Sequence, residues 1–439
     1  MGASKDLYLN PREIVAQEIY QGTVTSHWSV TATGSLHQEQ QLSRSSWRQA
    51  FVAAFLPEGF PASTPPDYLA FQVWDSIQAL SSYIRGMLSS QAILKGVGVG
   101  QQAATPLSAV FQFFLRDLTG MLGGMLFAFW QGSGLDMYAK QWRLFADILN
   151  NIGYTLEMIS PIFPKYFLFL ACLGSLARAV TGVAGGATRA ALTQHFAIKG
   201  NAADISAKEA TQETATTLVG MLLGMLLTKS ASEAPFFATL AFGLLTLLHV
   251  MANIQAMRSL QLQSINPYRL RKLLEAFFNQ APIPSPAQMA AQDALLPPVI
   301  MEAWRSWFLS PYRRPILKVH LGVPLHSLDQ NLAAKLHKDH RYILGVEAGV
   351  CKVVLRDDAG PMDMLNATFE AYARSQIAPS RMPSSQSQVS EDHPTWNKDI
   401  FQGFCSQLSA AGWSLEKTIL AQSQWRAAWG TSMRSGHED

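Results

Sequence analysis

Charged side chains are scarce in this 439-residue sequence: Asp, Glu, Lys and Arg make up 15% of it, against about 25% in ordinary soluble chains. No long run of one sign occurs and the net charge is +3, so the electrostatic footprint of a nucleic-acid binder is missing and no nucleic-acid partner is expected. Cysteine is nearly absent. Cys172, Cys351 and Cys405 lie far apart, which excludes a zinc motif, argues against a disulfide framework and points to a reducing compartment. The first twenty residues hold no apolar core and carry Asp6, Glu13 and Glu18, so neither a secretory signal nor a transit peptide is expected. Asp6 stands where a myristoylation motif needs Ser or Thr, so that anchor is not expected either. Walker, Rossmann, nucleophile-elbow and HExxH patterns are missing too. His337 and His340 can share a helix face, but two histidines without further ligands make no metal site. No catalytic residue is assigned, and the reading leans away from an enzyme.

What is present is a crowd of apolar stretches in the middle of the chain. Gly96–Leu115 is uncharged but broken by Pro106; Leu118–Leu135, Thr214–Thr228 and Ala234–Met257 are uncharged; Tyr166–Thr188 is broken only by Arg178. A bilayer core of about 30 Å needs about 20 helical residues, so several of these stretches suit a multi-pass membrane protein with lipid as its partner. A buried bundle in a soluble α protein is the alternative. One stretch repeats: Leu118-Thr-Gly-Met-Leu-Gly-Gly-Met-Leu-Phe127 returns as Leu218-Val-Gly-Met-Leu-Leu-Gly-Met-Leu-Leu227. Each copy follows another glycine cluster, so four pairs with GxxxG spacing appear: Gly96/Gly100, Gly120/Gly124, Gly182/Gly186 and Gly220/Gly224. Glycines four apart share a helix face and let backbones approach, which marks them as helix-packing positions. With a third helix near 142–163 and 236–257, each unit has three helices, and an odd number makes the two copies inverted in a membrane.

The expected architecture is therefore mainly α. Residues 1–56 form a strand-containing segment around Gly22–Gly34; residues 57–265 form a duplicated glycine-rich membrane core of about six helices. Residues 266–439 form a small α+β domain. It has a hairpin at 342–355, helices near 362–374 and 396–411, a strand at 413–419 and a terminal helix ending at Trp429. A Ser/Gln-rich loop at 379–394 is expected to be disordered, and an amphipathic segment is expected around Trp304 and Trp307.

Candidate chemistry lies at two places. Asp136, Lys140, Arg143 and Asp147 are spaced four, three and four apart, a single helical stripe. It reads either as a solvated face of weak ion pairs or as a network lining a polar cavity, since charge at membrane depth marks a pathway. Gly185-Gly186-Ala187-Thr188-Arg189 is similar to a glycine-rich turn opening a helix, where backbone N–H groups and an arginine suit phosphate or carboxylate; close helix packing is the other reading. Ser206 and Glu209 match a capping box, which leaves Glu213 as the free acid for a cation or proton.

Three blocks, Pro57–Gln78, Arg116–Asn151 and Gly185–Thr214, resemble the root UVB-sensitive family, and the resemblance runs from about Phe55 to the C-terminus, closest to plant-type members. It implies a part in ultraviolet-B responses, seedling development, auxin transport and vitamin B6 homeostasis, with other family members as partners in homo- or hetero-oligomers. It brings no catalytic residue set and leaves the cofactor unknown. Three molecular readings stay open: a transporter or sensor of a small, anionic metabolite; an enzyme or carrier binding a phosphorylated cofactor such as pyridoxal phosphate; and a membrane-anchored interaction scaffold.

Overall fold

The computed structural model describes residues 14–20, 23–30, 35–40, 47–98, 105–131, 134–297, 300, 318–328, 340–347, 350–377, 398–420, 423 and 425–429. The described residues are mainly helical, with two small sheets among them.

The Thr-rich run becomes the middle strand of an antiparallel meander, β1 (Ile14–Tyr20), β2 (Thr23–Val30) and β3 (Leu36–Gln40). The outer strands carry Gln17, Glu18, Gln38 and Glu39, so they lack the apolar alternation that made β2 visible. A short helix, α1 (Trp47–Phe55), leads to the helical core.

Six long helices build that core: α2 (Tyr68–Val97), α3 (Pro106–Gln131), α5 (Ala139–Ile159), α6 (Phe167–Phe196), α7 (Ala202–Glu233) and α8 (Pro235–Ser259). The single-turn α4 (Gly134–Met137) precedes α5. The uncharged run 96–115 is not one helix. Gly98 ends α2 in the left-handed region at φ 92°, its N–H returning to Leu94 and Lys95, and Pro106, which has no N–H to give, opens α3.

Helices α3 and α5 lie along α6, whereas α7 and α8 lie along α2; α2 and α5 join the two groups. Glycines make these approaches possible. A Cβ on Gly120 would stand 2.6 Å from Ser175 Oγ, and one on Gly220 2.8 Å from Tyr83 Cβ. Gly224 abuts Met87, Gly124 meets Ala179 and Val183, and Gly96 faces the Phe167 ring. One backbone-to-backbone crossing was invisible as a motif: Gly153 of α5 and Gly174 of α6 each come within 2.9 Å of the other's carbonyl oxygen when given a Cβ. Gly182, Gly185 and Gly186 differ from expectation, since nothing lies within 4 Å of a Cβ placed there; their side of α6 turns away from α3 and α5. Gly100 lies outside the described residues.

The outer faces are apolar. Leu107, Met125, Leu126, Phe129 and Trp130 of α3 stand exposed, as do Met225 and Leu226 of α7 and Phe236, Phe237 and Leu244 of α8, with Phe129 89% accessible. Among the described residues two helical stretches, Pro164–Phe196 and Pro235–Ser259, are long and apolar enough to cross a bilayer.

Beyond the core, α9 (Pro267–Phe278) and α10 (Pro286–Gln292) start on Asn266 and Ser285 caps, each with proline next. In the C-terminal sheet β6 (Val350–Leu355) lies between parallel β4 (Lys318–Leu321) and antiparallel β5 (Tyr342–Glu347). Leu270, Leu273 and Leu274 of α9 share one core with Cys351 and Val353 of β6. Phe369 of α11 (Pro361–Ile377) and Phe404 of α12 (Lys398–Ala410) complete that core. The strand expected at 413–419 reduces to a bridge between Ile265 and Thr418. Residues 425–429 are not helical; Trp429 is buried and its indole N–H donates to the His340 carbonyl at 3.0 Å. Residues 379–394 and the segment around Trp304 and Trp307 lie outside the described residues.

Core and C-terminal region meet at a buried ion triad. Asp293 accepts from Arg269 Nη2 at 2.7 Å and from Lys140 Nζ at 2.9 Å, and Lys140 also donates to the Leu260 carbonyl. Burial alone would raise the Asp293 carboxyl, but Arg269 and Lys140 outweigh it and hold the group below the usual carboxylate range.

Candidate functional site

Helix α5 carries polar residues along one face at spacings of three and four: Lys140, Arg143, Asp147, Asn151, Tyr154 and Glu157. In a helix this makes one stripe about 25 Å long. Because α2, α6 and α8 close over α5, most of the stripe is buried, and each group needs a partner from a neighbouring helix.

At the N-terminal end of α5 the stripe borders an open cleft of about 260 Å³ between α2, α5, α6 and α7. Two ion pairs face each other across it. On one wall Arg143 Nη2 binds Asp75 Oδ1 at 2.9 Å, with Asp147 one turn on at 3.8 Å from Nε. On the other Arg189 Nη2 binds Glu213 Oε2 at 2.7 Å, and Glu209 stands 3.8 Å from Arg189 Nε. Glu209 also accepts from Gln72 and Thr193, and Tyr83 donates to Glu213. Tyr83 and Tyr154 add aromatic surface to the lining. Such a cleft offers guanidinium groups to an anion and carboxylates to a cation, already paired and therefore ready to exchange partners.

Below the cleft a polar seam continues through the bundle. The Gln78 amide donates to Asp147 at 3.1 Å and lies 2.7 Å from His249 Nε2; Asn253 also donates to Asp147. Arg85, wholly buried, donates to Asn151 and to the Ser81 carbonyl, and Thr246 Oγ1 lies 3.4 Å away. Arg85 and Arg178 both approach the Tyr154 ring, at 5.6 and 5.0 Å from its centroid, within cation–π range. At the far end Glu157 accepts from Arg116 at 2.8 Å, from Arg178 at 3.1 Å and from Ser89.

One family model, described as the vitamin B6 photo-protection and homoeostasis domain, matches residues 41–281; a second, the root UVB sensitive protein C-terminal domain, matches 308–429. Protein root UVB sensitive 3 of Arabidopsis thaliana is 42% identical over 91% of both chains. The chain belongs to the root UVB-sensitive family. RUS family member 1 of Dictyostelium discoideum is 48% identical over 55% of this chain and 47% of its own, and the chloroplastic root UVB sensitive 2 of Arabidopsis thaliana is 28% identical over 87% and 85%. No solved structure matches. Cleft and seam both fall inside the first of the two family domains.

Several sequence expectations change in this root UVB-sensitive chain. The stripe Asp136–Asp147 is not one network. Asp136 is exposed on α4, across the helix break at Tyr138, and Lys140 turns to Asp293, leaving Arg143 at the cleft with Asp147 buried behind it. Gly185, Gly186 and Thr188 lie in the middle of α6, so their N–H groups serve the helix ladder and open no anion cradle; the Thr188 hydroxyl donates back to the Ala184 carbonyl. Arg189 does reach the cleft, from the side of that helix. Ser206 and Glu209 form no capping box, since α7 begins at Ala202, and Glu209 is a buried wall of the cleft. Asp75, Gln78, Arg85, Asn151, Tyr154, Glu157, His249 and Asn253 were not foreseen. Two signals were available: the α5 stripe continues past Asp147, and His249 and Asn253 stand one turn apart inside an otherwise apolar run.

Proposed function

We propose that this protein is a membrane-embedded carrier or receptor for a small anionic or zwitterionic metabolite, which it takes up in the cleft between α2, α5, α6 and α7. The observation that carries this reading is the pairing of Arg143–Asp75 against Arg189–Glu213 across one open cleft. A zwitterion displaces both pairs by matching charge for charge. The polar seam behind the cleft supports passage rather than simple capture, because buried charge in an apolar bundle marks a route. The broad apolar surfaces of α3, α7 and α8 support a lipid environment, being far larger than the patches monomeric soluble proteins expose. The packing also supports a duplicated core: the first helix of each unit, α2 or α6, is clasped by the second and third helices of the other unit. Transporters built from inverted repeats hold their substrates between such units.

The first family domain takes its description from vitamin B6, and a B6 vitamer, a pyridine bearing a phosphate or hydroxymethyl group, suits a cleft with two arginines and two tyrosines. Among the described residues no lysine lines the cleft, so an aldehyde vitamer would be held by them without a Schiff base. That favours cargo or signal over a pyridoxal-phosphate enzyme.

The test has two steps. Alkaline carbonate should leave the protein in the membrane pellet; release into the supernatant removes the membrane reading. Purified protein in liposomes should then bind or accumulate labelled pyridoxal 5′-phosphate. Arg189→Ala should weaken this roughly tenfold to a hundredfold, the equivalent of about 1.5–3 kcal/mol for a charge-assisted contact. Binding that is absent from the parent, or unchanged in Arg189→Ala and Arg143→Gln, rejects the cleft as the binding site.

A further inference from the structure

Arg85 stands out in the seam because its charge is not matched by contact. Arg143 has Asp75 and Asp147; Arg116 and Arg178 share Glu157, with the exposed Asp117 also on Arg116. Among the described residues no carboxylate touches Arg85; Asp147 acts on it only from a distance, and the groups in contact are neutral. Asn151 and Tyr154 come from α5, Thr246 from α8 and the Ser81 carbonyl from its own helix, and Arg178 of α6 lies beyond the Tyr154 ring. A fully buried guanidinium without an opposing carboxylate is costly in an apolar bundle.

Its surroundings also hold more donors than acceptors. Among the described residues Arg85 Nη2, Asn151 Nδ2 and His249 Nδ1 are buried and have no hydrogen-bond partner. Arg85 and Asn151 are bonded to each other through Nη1 and Oδ1, so two of the unused donors sit on adjoining groups. When the Gln78 amide donates to His249 Nε2, the imidazole proton lies on Nδ1, which makes the third group a donor as well. Three buried unused donors on α2, α5 and α8, one of them cationic, ask for an acceptor that is negative.

We infer that the seam contains an inner anion subsite at Arg85, completed by Asn151 and His249, one helical turn below the floor of the cleft formed by Gln78, Ser82 and Tyr154. Its ligand is a single small anion, either a free inorganic ion or the anionic group of the metabolite taken up in the cleft. The inference rests on the proposed role of the cleft only for the second of those sources. The subsite itself follows from the unmatched Arg85.

The experiment uses the full chain in neutral detergent and compares its melting temperature in gluconate with that in chloride or inorganic phosphate at equal ionic strength. A ligand that binds only the folded state raises the melting point with its concentration. The parent should gain a few degrees from the small anions. Arg85→Gln should lose this response while Arg271→Gln, on α9 and outside both cleft and subsite, keeps it. Asn151→Asp places a carboxylate against Arg85 in the anion's stead; it should melt higher than the parent in gluconate and gain nothing from chloride. Should Arg85→Gln fail to fold, Asn151→Asp alone decides. Pyridoxal 5′-phosphate that removes the chloride response identifies the metabolite's own anionic group as occupant; an additive response identifies a free ion. A parent without any anion response, or an Asn151→Asp chain that keeps it, overturns the subsite. Neither result depends on Arg189, so loss of cleft binding in Arg189→Ala is read separately.

Discussion

The triad of Lys140, Arg269 and Asp293 makes an asymmetric prediction. Arg269 grips Asp293 with two nitrogens, Nε to Oδ1 at 3.2 Å and Nη2 to Oδ2 at 2.7 Å, while Lys140 adds a single contact at 2.9 Å. All three side chains are about 97% buried or more. One carboxylate thus serves two cations. Asp293→Asn strands both, and breaking a buried pair in this way costs about 3–5 kcal/mol. Lys140→Met leaves a neutral bidentate Arg–Asp pair and replaces an ammonium by an apolar chain of similar length, so its cost should stay within about 1 kcal/mol. In the double variant only Arg269 is left unmatched, and part of the Asp293→Asn loss should return, giving a coupling of about 1–3 kcal/mol. Thermal melts of the four proteins at pH 7 measure the cycle. The pH dependence has a fixed sign. The folded Asp293 carboxyl lies below its ordinary value, so its contribution is complete above the ordinary carboxylate range and disappears as pH falls through the lower folded value. The parent should lose this stabilisation only below about pH 4, and Asp293→Asn should lack that acid limb. Asp293→Asn and Lys140→Met melting together, or a coupling near zero, would refute the idea that one buried carboxylate holds the two regions in register.

Glycine substitutions should divide by what a Cβ would meet. Gly220→Leu and Gly120→Leu should destabilise by about 1–3 kcal/mol or more through overpacking. Gly186→Ala, with nothing within 4 Å, should be neutral or stabilise by up to about 1 kcal/mol from helix propensity; detergent melts that rank them in the opposite order would remove the packing assignment. Burial pushes the Cys351 thiol up to about 12, so Cys351 should resist Ellman's reagent at pH 8 until the C-terminal region unfolds, with Cys172 and Cys405 reacting first. Fast modification of all three thiols in the native protein would show that the β6 core opens.

The close packing at Gly120, Gly124, Gly220 and Gly224 was legible because GxxxG spacing has a direct geometric meaning, whereas Gly182 and Gly186 share the spacing and meet no neighbour. The choice of partner helix was not legible, since periodicity says which face is apolar and nothing about which neighbour covers it; that α3 lies on α6 rather than on α2 is a tertiary fact. The α5 stripe was read as far as Asp147 because charges announced it. Asn151 and Tyr154 continue it with uncharged polarity, and Glu157, alone near a helix end, reads as surface until Arg116 and Arg178 arrive from elsewhere. Glu209 was assigned to a capping box that fits by spacing; the helix starts one turn earlier at Asn201, which leaves that carboxylate for the cleft. Arg189 was found for the wrong local reason, because a glycine pair inside a long helix looks in sequence like a turn before one.

Helix α6 supplies a ruler. Its 30 residues measure about 45 Å, some 15 Å more than the hydrocarbon layer of a bilayer. On the proposed membrane placement, with Tyr166 and Phe167 at one interface, an upright α6 would leave the hydrocarbon near Gly186, and its remaining turns, which carry Arg189, Thr193 and His195, would stand among headgroups and water. The cleft would then open at the waterline and Glu157 of α5, which lies beside Gly174 of α6, would lie toward the opposite leaflet. On that placement, tilting α6 would lower the mouth toward the lipid, and the angle of one overlong helix would set how deep the proposed solute is drawn before it leaves water.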